Sequence, residues 1–230
     1  MISPFFNWLN QAQQRKLAIK KCKDPVLSAY LQAPLPDIES TINNAEIASL
    51  DFETTGLSAK QDKLLSIGLV QIKNGKIDLS TCWHQVINVE QELKNDNVII
   101  HQITDSEKAR GILLKQAFDR LLPKLAGKVI LVHFAKIERE FLQQACVQLY
   151  GTKAPFIIID TLEIARRYYD KQNQPYDPSQ LRLNNLRNNF SLPAHPAHNA
   201  LSDAIATAEL FLAILSHWHQ GRYTTVKLVL

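Results

Sequence analysis

In the stretch IASLDFETTGLS (47–58), an apolar run typical of a β-strand is followed by two acids, Asp51 and Glu53. Side chains alternate between the two faces of a β-strand, so these acids point the same way and Phe52 points the other way. Two close carboxylates repel each other, and a divalent cation such as Mg²⁺ or Mn²⁺ removes that repulsion. On its own the pair fits either a strand end that simply meets solvent or a metal site, since so short a motif is not specific.

The segments around this stretch predict an α/β protein with a mixed sheet. An Asn74-Gly75 pair lies between two β-rich runs, which indicates a tight hairpin and hence a three-stranded antiparallel meander. Two further strands, KVILVH (128–133) and FIIID (156–160), alternate with helices, as in mixed α/β sheets. The predicted helices lie around 115–125, 136–149, 161–169, 181–190 and 200–216.

The chain divides into three parts by sequence pattern. Residues 1–44 are expected to form a helical extension that ends in a Pro-containing linker. Residues 45–217 hold the α/β domain, and residues 218–230 form a β-prone C-terminal tail. The extension carries a basic cluster, which is either a solvated helix face or a contact for nucleic acid or a partner. This cluster consists of Arg15, Lys16, Lys20, Lys21 and Lys23.

Composition limits the possible classes of protein. The 230 residues are 46% hydrophobic, and no run of about 18 apolar residues predicts a membrane span. Three widely spaced cysteines without a CxxC pair argue against a disulfide framework or a zinc ribbon. They favour a reducing, cytoplasmic location. The net charge of +4, from 26 Lys and Arg against 22 Asp and Glu, tolerates a polyanionic partner without requiring one.

Two acids in HFAKIEREFL (133–142) fall on different faces of the predicted helix. At about 100° per residue, Glu138 lies in the middle of the apolar arc and Glu140 lies on the far side. A carboxylate aimed inward must find a cation or become protonated. Glu138 is therefore predicted to bind a metal ion, and a pair with a buried Arg or Lys is the alternative.

A histidine and an acid mark the start of the last predicted helix. Asp203 lies in its first turn, where an acid can also serve the helix dipole alone. His198 lies five residues earlier, in the loop that enters the helix. His195 and His198 form an HxxH pattern, but Pro196 opposes a shared helix face and no further ligands complete a zinc site.

Together, these segments resemble the DEDDh exonucleases, the family of the DnaQ-like proofreading subunits. The matching segments, in chain order, are LDFETTGL (50–57), IIHQIT (99–104), VHFAKIEREFL (132–142), IDTLEIAR (159–166) and HNALSDA (198–204). The resemblance covers about residues 45–215. It implies an RNase H-like fold with a five-stranded mixed sheet flanked by helices, and 3′→5′ hydrolysis of nucleic acid.

The resemblance also implies roles for individual residues. Four carboxylates, on Asp51, Glu53, Glu138 and Asp203, would hold two Mg²⁺ or Mn²⁺ ions. His198 would take a proton from the attacking water. The chain departs from the family at Glu138, where Asp is usual, and at Phe134, where Asn is common.

Three other residues are expected to contact the terminal nucleotide by the same resemblance. They are Thr54, Leu57 and His101, with the Leu57 side chain packing against a base. A loop histidine without a role is the alternative at His101.

The leading hypothesis is a metal-dependent exonuclease that acts on single-stranded 3′ ends, DNA in preference to RNA, and releases nucleoside 5′-monophosphates. The chain has no room for a polymerase domain, so proofreading would require a separate partner, a DNA polymerase or a repair protein. One alternative is an exoribonuclease of the same superfamily. A second is a catalytically weak module that binds nucleic acid or a polymerase. A dehydrogenase-like nucleotide binder is excluded because no G-x-G-x-x-G run exists.

Overall fold

The computed structural model describes residues 4–89, 110–173, 175–218 and 224–230, with the backbone alone for residues 4–10. The described strands are β1 Ile47–Thr54, β2 Leu64–Lys73, β3 Lys76–Val86, β4 Val129–Val132 and β5 Ile158–Asp160. The described helices, numbered in chain order, are α1 Pro4–Lys21, α2 Pro25–Gln32, α3 Leu114–Leu125, α4 Lys136–Tyr150, α5 Thr161–Lys171, α6 Leu183–Asn189, α7 Ala200–Trp218 and α8 Val226–Val229. The strands and helices predicted within the α/β domain are confirmed, with small differences at their ends.

The five strands form one mixed sheet in the order β3-β2-β1-β4-β5. β1, β2 and β3 pair antiparallel, and β4 and β5 continue the sheet parallel to β1. The β2–β3 hairpin turns at Asn74 and Gly75 with φ of 51° and 69°, as the Asn-Gly pair predicts. Because β1, β4 and β5 are parallel, their carboxyl ends meet at one edge, where open α/β sheets bind ligands.

Apolar layers cover both faces of the sheet. One layer packs α2, α3 and α4 against it and contains the fully buried side chains of Leu50, Phe118 and Leu142. The other layer packs α5, α6 and α7 and contains Leu131 and Phe211. The site residues of β1 thus project from a strand that is enclosed on both sides.

The predicted N-terminal extension contributes to this core. Leu27 and Leu31 of α2 are buried in the layer that contains α3 and α4. Arg15 donates hydrogen bonds to carbonyl groups at the end of α2, among them Tyr30 O at 3.2 Å. One member of the basic cluster is therefore engaged within the fold, while its four lysines are exposed.

The C-terminal tail returns to the linker after α2. Thr225 forms a β-bridge with Thr41, and the Val226 N–H donates to Ser40 O over 3.1 Å. Beyond this bridge the tail forms the short helix α8, although its composition is β-prone. The helical turn buries Val226 and Val229, three residues apart, and this packing outweighs the β propensity of the stretch.

Helix α7 is long and apolar enough to cross a membrane by length and composition alone. In the fold it packs against β1 and β2, and Ala204, Ala208 and Phe211 are fully buried. A core helix meets the same criteria as a membrane span, so packing accounts for the apolar character of α7.

The first turn of α7 lies directly against β2 at Gly68. Gly68 is paired with Asp51 across the β1–β2 ladder. A Cβ atom at position 68 would lie 2.1 Å from the backbone carbon of Ala200, which leaves no room for a side chain. This close approach explains a glycine in the middle of a strand and brings the start of α7 to Asp51.

We expect Gly68→Ala to lower the free energy of unfolding by about 1–3 kcal/mol, because the added methyl group must push α7 off the sheet. Chemical denaturation of the wild type and the variant measures this loss. Gly151→Asn is the comparison, since no atom lies within 4 Å of a Cβ there. Its φ of 74° strains a side chain, Asn less than most, so its loss of stability should be the smaller of the two. Unchanged stability in Gly68→Ala would contradict the role of this contact.

Candidate active site

Three acids converge at the carboxyl edge of the sheet. Oxygen atoms of Asp51, Glu53 and Asp203 all lie within 4.8 Å of one another. Asp51 and Glu53 come from the same face of β1, as the alternation of side chains predicts. The arrangement could hold a cation, because carboxylate oxygens are the ligands that Mg²⁺ and Mn²⁺ prefer.

Asp203 reaches this edge because the start of α7 is fixed to β1. The Ser49 hydroxyl donates to the Ala204 carbonyl over 2.7 Å, which ties the first turn of the helix to the strand. The Asn199 side chain accepts from the Ser202 N–H over 3.1 Å and caps the helix. Asp203 is therefore held on the turn that faces β1.

Glu138 is the fourth acid, in the first turn of α4. Its side chain is 3% exposed, and its Oε2 atom has no hydrogen-bond partner among the described residues. Burial raises the pKa of Glu138 to about 8, and the charge of Asp160 adds to this rise. The predicted inward direction of Glu138 is confirmed, as is the exposure of Glu140.

The four carboxylates affect one another electrostatically. The pKa of Asp51 lies well above its usual value, first because of burial and then because of the charges of Glu138, Asp203 and Glu53. No lysine or arginine within the described ranges forms a salt bridge with Asp51 or Glu138. Among the groups that the structure describes, no basic side chain neutralises these two acids, and protons or a bound cation could do so.

Two histidines of the loop before α7 contact Asp203. The His195 Nε2 atom lies 2.8 Å from Asp203 Oδ1, and the His198 backbone N–H donates to Asp203 Oδ2 over 2.9 Å. His195 is largely buried, whereas His198 is exposed and has a φ of 65°. The sequence predicted for His195 only a part in an HxxH zinc pattern and not this contact, although its place just upstream of HNALSDA was a signal.

Asp160 organises the loop between β4 and α4, a role that the sequence analysis missed. Its carboxylate accepts the backbone N–H groups of Phe134 (2.9 Å), Ala135 (2.8 Å) and Leu162 (3.0 Å). The last of these caps α5, and an acid directly before a helix is a recognisable sign of such a cap. The other two fix the chain just before it enters α4 and Glu138.

His133 lies at the end of β4, beside this loop. Its Nδ1 atom is 2.8 Å from the Thr161 hydroxyl, and burial lowers its pKa to about 4 while the Asp160 charge opposes that shift. At neutral pH His133 is uncharged. It therefore adds no positive charge to balance the four acids.

The residues expected to contact a terminal nucleotide differ in their placement. Thr54 is buried at the end of β1, and its hydroxyl donates to the Gly56 carbonyl over 2.7 Å. Leu57 is 73% exposed on the following loop and is free to meet a ligand. His101 and the IIHQIT segment lie outside the described residues.

Comparison with known proteins relates this geometry to sequence families. The model of the RNase_T family, described as an exonuclease family, matches residues 49–211. The chain is 29% identical over 170 residues to the DNA polymerase III PolC-type of Caldanaerobacter subterraneus subsp. tengcongensis, covering 74% of this chain and 12% of that protein. It is 28% identical over 172 residues to the DNA polymerase III subunit epsilon of Treponema pallidum, covering 74% of this chain and 76% of that protein. The chain thus spans a small part of the PolC-type relatives.

Solved structures share the fold at low sequence identity. Exonuclease I of E. coli in complex with a dT13 oligonucleotide has a TM-score of 0.66 and 15% identity, covering 76% of this chain and 42% of that one. The nuclease domain of 3′hExo, a DEDDh family member bound to rAMP, has a TM-score of 0.63 and 17% identity, covering 80% and 97%. The RNase H-like sheet expected from the sequence is confirmed by these likenesses.

Proposed function

The chain belongs to the RNase_T exonuclease family, and we propose that it hydrolyses phosphodiester bonds in the 3′→5′ direction from single-stranded ends, DNA in preference to RNA. The observation that carries this proposal is the cluster of four acids at the carboxyl edge of the sheet. The resemblance to DEDDh exonucleases predicts these same four acids as metal ligands. They come from parts of the chain that are far apart in sequence. Each released product is a nucleoside 5′-monophosphate.

The four acids fit a pair of divalent cations, Mg²⁺ or Mn²⁺. Asp51, Glu53 and Asp203 present oxygens to a common point, and Glu138 adds a buried oxygen without a hydrogen-bond partner among the described residues. When bound, two such ions stabilise the charge that develops on the attacking and leaving oxygens of the phosphodiester. The longer Glu138 side chain supplies the same ligand group as the more common Asp.

The loop before α7 supplies the general base in this proposal. We assign to His198 the removal of a proton from the attacking water, because it adjoins Asp203 and its ring is accessible from solvent. Leu57 packs against the terminal base, Thr54 contacts the terminal nucleotide near the end of β1, and His101 touches the same nucleotide. The exposure of Leu57 supports its part.

Oligonucleotide digestion tests the function. A 5′-labelled single strand should shorten one nucleotide at a time in Mg²⁺ or Mn²⁺ and stay intact in EDTA, with nucleoside 5′-monophosphates as products. Matched DNA and RNA strands compare the two substrates. No shortening by folded protein in either metal would refute the proposal.

An exoribonuclease is the second candidate, since one structural neighbour is bound to rAMP. A protein tells RNA from DNA by its contact with the 2′-hydroxyl, so faster digestion of RNA in the same assay would favour this candidate.

Two of the relatives are DNA polymerase III proteins, and from them we propose a polymerase or repair protein as partner and a cytoplasmic location. In this proposal residues 45–217 form the nuclease domain, between an extension (1–44) and a tail (218–230).

A further inference from the structure

Resting on this proposed function, we propose that the Phe134 ring is a stacking platform for one base of the bound strand. Phe134 lies in the loop between β4 and α4, four residues before Glu138. In the parallel β1–β4 ladder Leu131 is opposite Ser49, so the chain leaves β4 beside the part of β1 that carries Asp51. The exposed Leu57 side chain follows β1 at the same edge.

Local structure does not account for a phenylalanine at this position. Its φ is 71°, a conformation that bulky L-residues rarely adopt and that glycine or asparagine tolerates. Its side chain is 44% exposed, and none of the aromatic pairs formed by the described residues includes it. The residue thus gains neither a relaxed backbone nor full burial.

The backbone of Phe134 is held firmly despite this strain. Asp160 accepts its N–H and that of Ala135, and the Phe134 carbonyl accepts the N–H of Ile137 over 3.3 Å. The loop that carries the exposed ring is therefore fixed by Asp160, the same acid whose charge acts on Glu138. Strained residues that are over-determined by their surroundings in this way cluster at ligand sites.

Stacking on an aromatic ring suits a nuclease that removes every nucleotide in turn. All four bases have a π-face, so the contact requires a base and does not select its identity. A hydrogen-bonding Asn in this place has no such face.

Kinetics and stability of Phe134→Asn test the proposal together. We expect KM for a single-stranded oligonucleotide to rise about 5- to 150-fold, the value of one base–aromatic stack, with little change in kcat. The melting temperature should rise by ~2–4 °C, because Asn tolerates the positive φ. Phe134→Tyr should keep the wild-type KM. Leu79→Asn, at a 62% exposed site on β3, is the matched control and should leave KM unchanged.

A higher melting temperature together with a higher KM separates stacking from a structural role. If Phe134 were needed only for the fold, its replacement would lower both stability and activity. Single strands that lack the base at one position identify the stacked nucleotide. When the missing base is the stacked one, the wild type should bind the strand weakly. Phe134→Asn should not weaken the binding of that strand further. An unchanged KM in Phe134→Asn, or an equal effect on every abasic strand, would overturn the proposal.

Equilibrium binding distinguishes failure of the stacking proposal from failure of the nuclease function. The fluorescence anisotropy of a labelled single strand in EDTA measures the affinity without hydrolysis. If the wild type digests no strand but Phe134→Asn still binds the strand more weakly than the wild type, only the nuclease function is refuted. Equal binding by the wild type and Phe134→Asn would refute the stacking platform whether or not the chain is a nuclease.

Discussion

Asp51→Asn is expected to lower kcat by ~10³-fold or more while leaving the fold intact. Asp51 lies at the centre of the acid cluster, and its elevated pKa reflects burial and the charges of three neighbouring carboxylates. The amide keeps the shape of the side chain but is a much weaker cation ligand. A loss of several kcal/mol of transition-state stabilisation corresponds to this change in rate.

In metal-free solution Asp51→Asn should be more stable than the wild type, although it is less active. Removing one of several mutually repelling carboxylates lowers the electrostatic repulsion in the folded state, so the melting temperature in EDTA should rise. Digestion assays and melting curves on the same preparation measure both effects. Glu140→Gln, an exposed acid on α4, is the control and should behave as wild type. Residual activity of Asp51→Asn close to wild type would place the chemistry elsewhere.

The acids of the site could be predicted from the sequence because local periodicity determines their direction. Alternation along β1 places Asp51 and Glu53 on one face, and the helical period turns Glu138 inward and Glu140 outward. The order of the motifs then indicates that Asp203 joins them. The directions of the first three acids depend on residues close together in the chain, whereas Asp203 was predicted only from the resemblance to the DEDDh exonucleases.

The features that the sequence analysis missed depend on contacts between distant residues. The hydrogen bond from the Phe134 N–H to Asp160 spans 26 positions, and the fit of Ala200 against Gly68 spans far more. A strand glycine signals a close approach but does not identify the element that approaches it. His195 belongs to an irregular loop, where no period indicates which way a ring points.

Glu138→Gln is expected to stabilise the metal-free protein and to lower kcat by about 10²–10³-fold. In the wild type, burial raises the pKa of Glu138 to about 8 from an ordinary value of 4.5. Between these two pH values the folded protein holds a proton that the unfolded chain has released. The free energy of unfolding of the metal-free wild type must therefore fall as pH rises from about 4.5 to 8. Glutamine carries no charge to bury.

The wild type and Glu138→Gln should thus have similar stability in EDTA below pH 4.5. Their free energies of unfolding should diverge up to about pH 8, by ~5 kcal/mol. Chemical denaturation at a series of pH values measures this divergence. Adding Mn²⁺ at pH 8 should restore much of the lost stability of the wild type and less of the variant, since a cation replaces the proton on Glu138. Parallel pH profiles of the two proteins would contradict the assignment of Glu138 as a buried, ionisable acid.

Glu138→Asp determines whether the extra methylene group matters. If Glu138 is a metal ligand, Asp restores the residue that is usual in the family, and activity should stay the same or increase. Glu138→Asp retains the charge that Glu138→Gln removes, so the two variants separate the need for a carboxylate from the need for its length. Loss of activity in both would mean that the site is built around the longer side chain. Full activity in Glu138→Gln would mean that three acids suffice, and that the buried carboxylate destabilises the fold without serving catalysis.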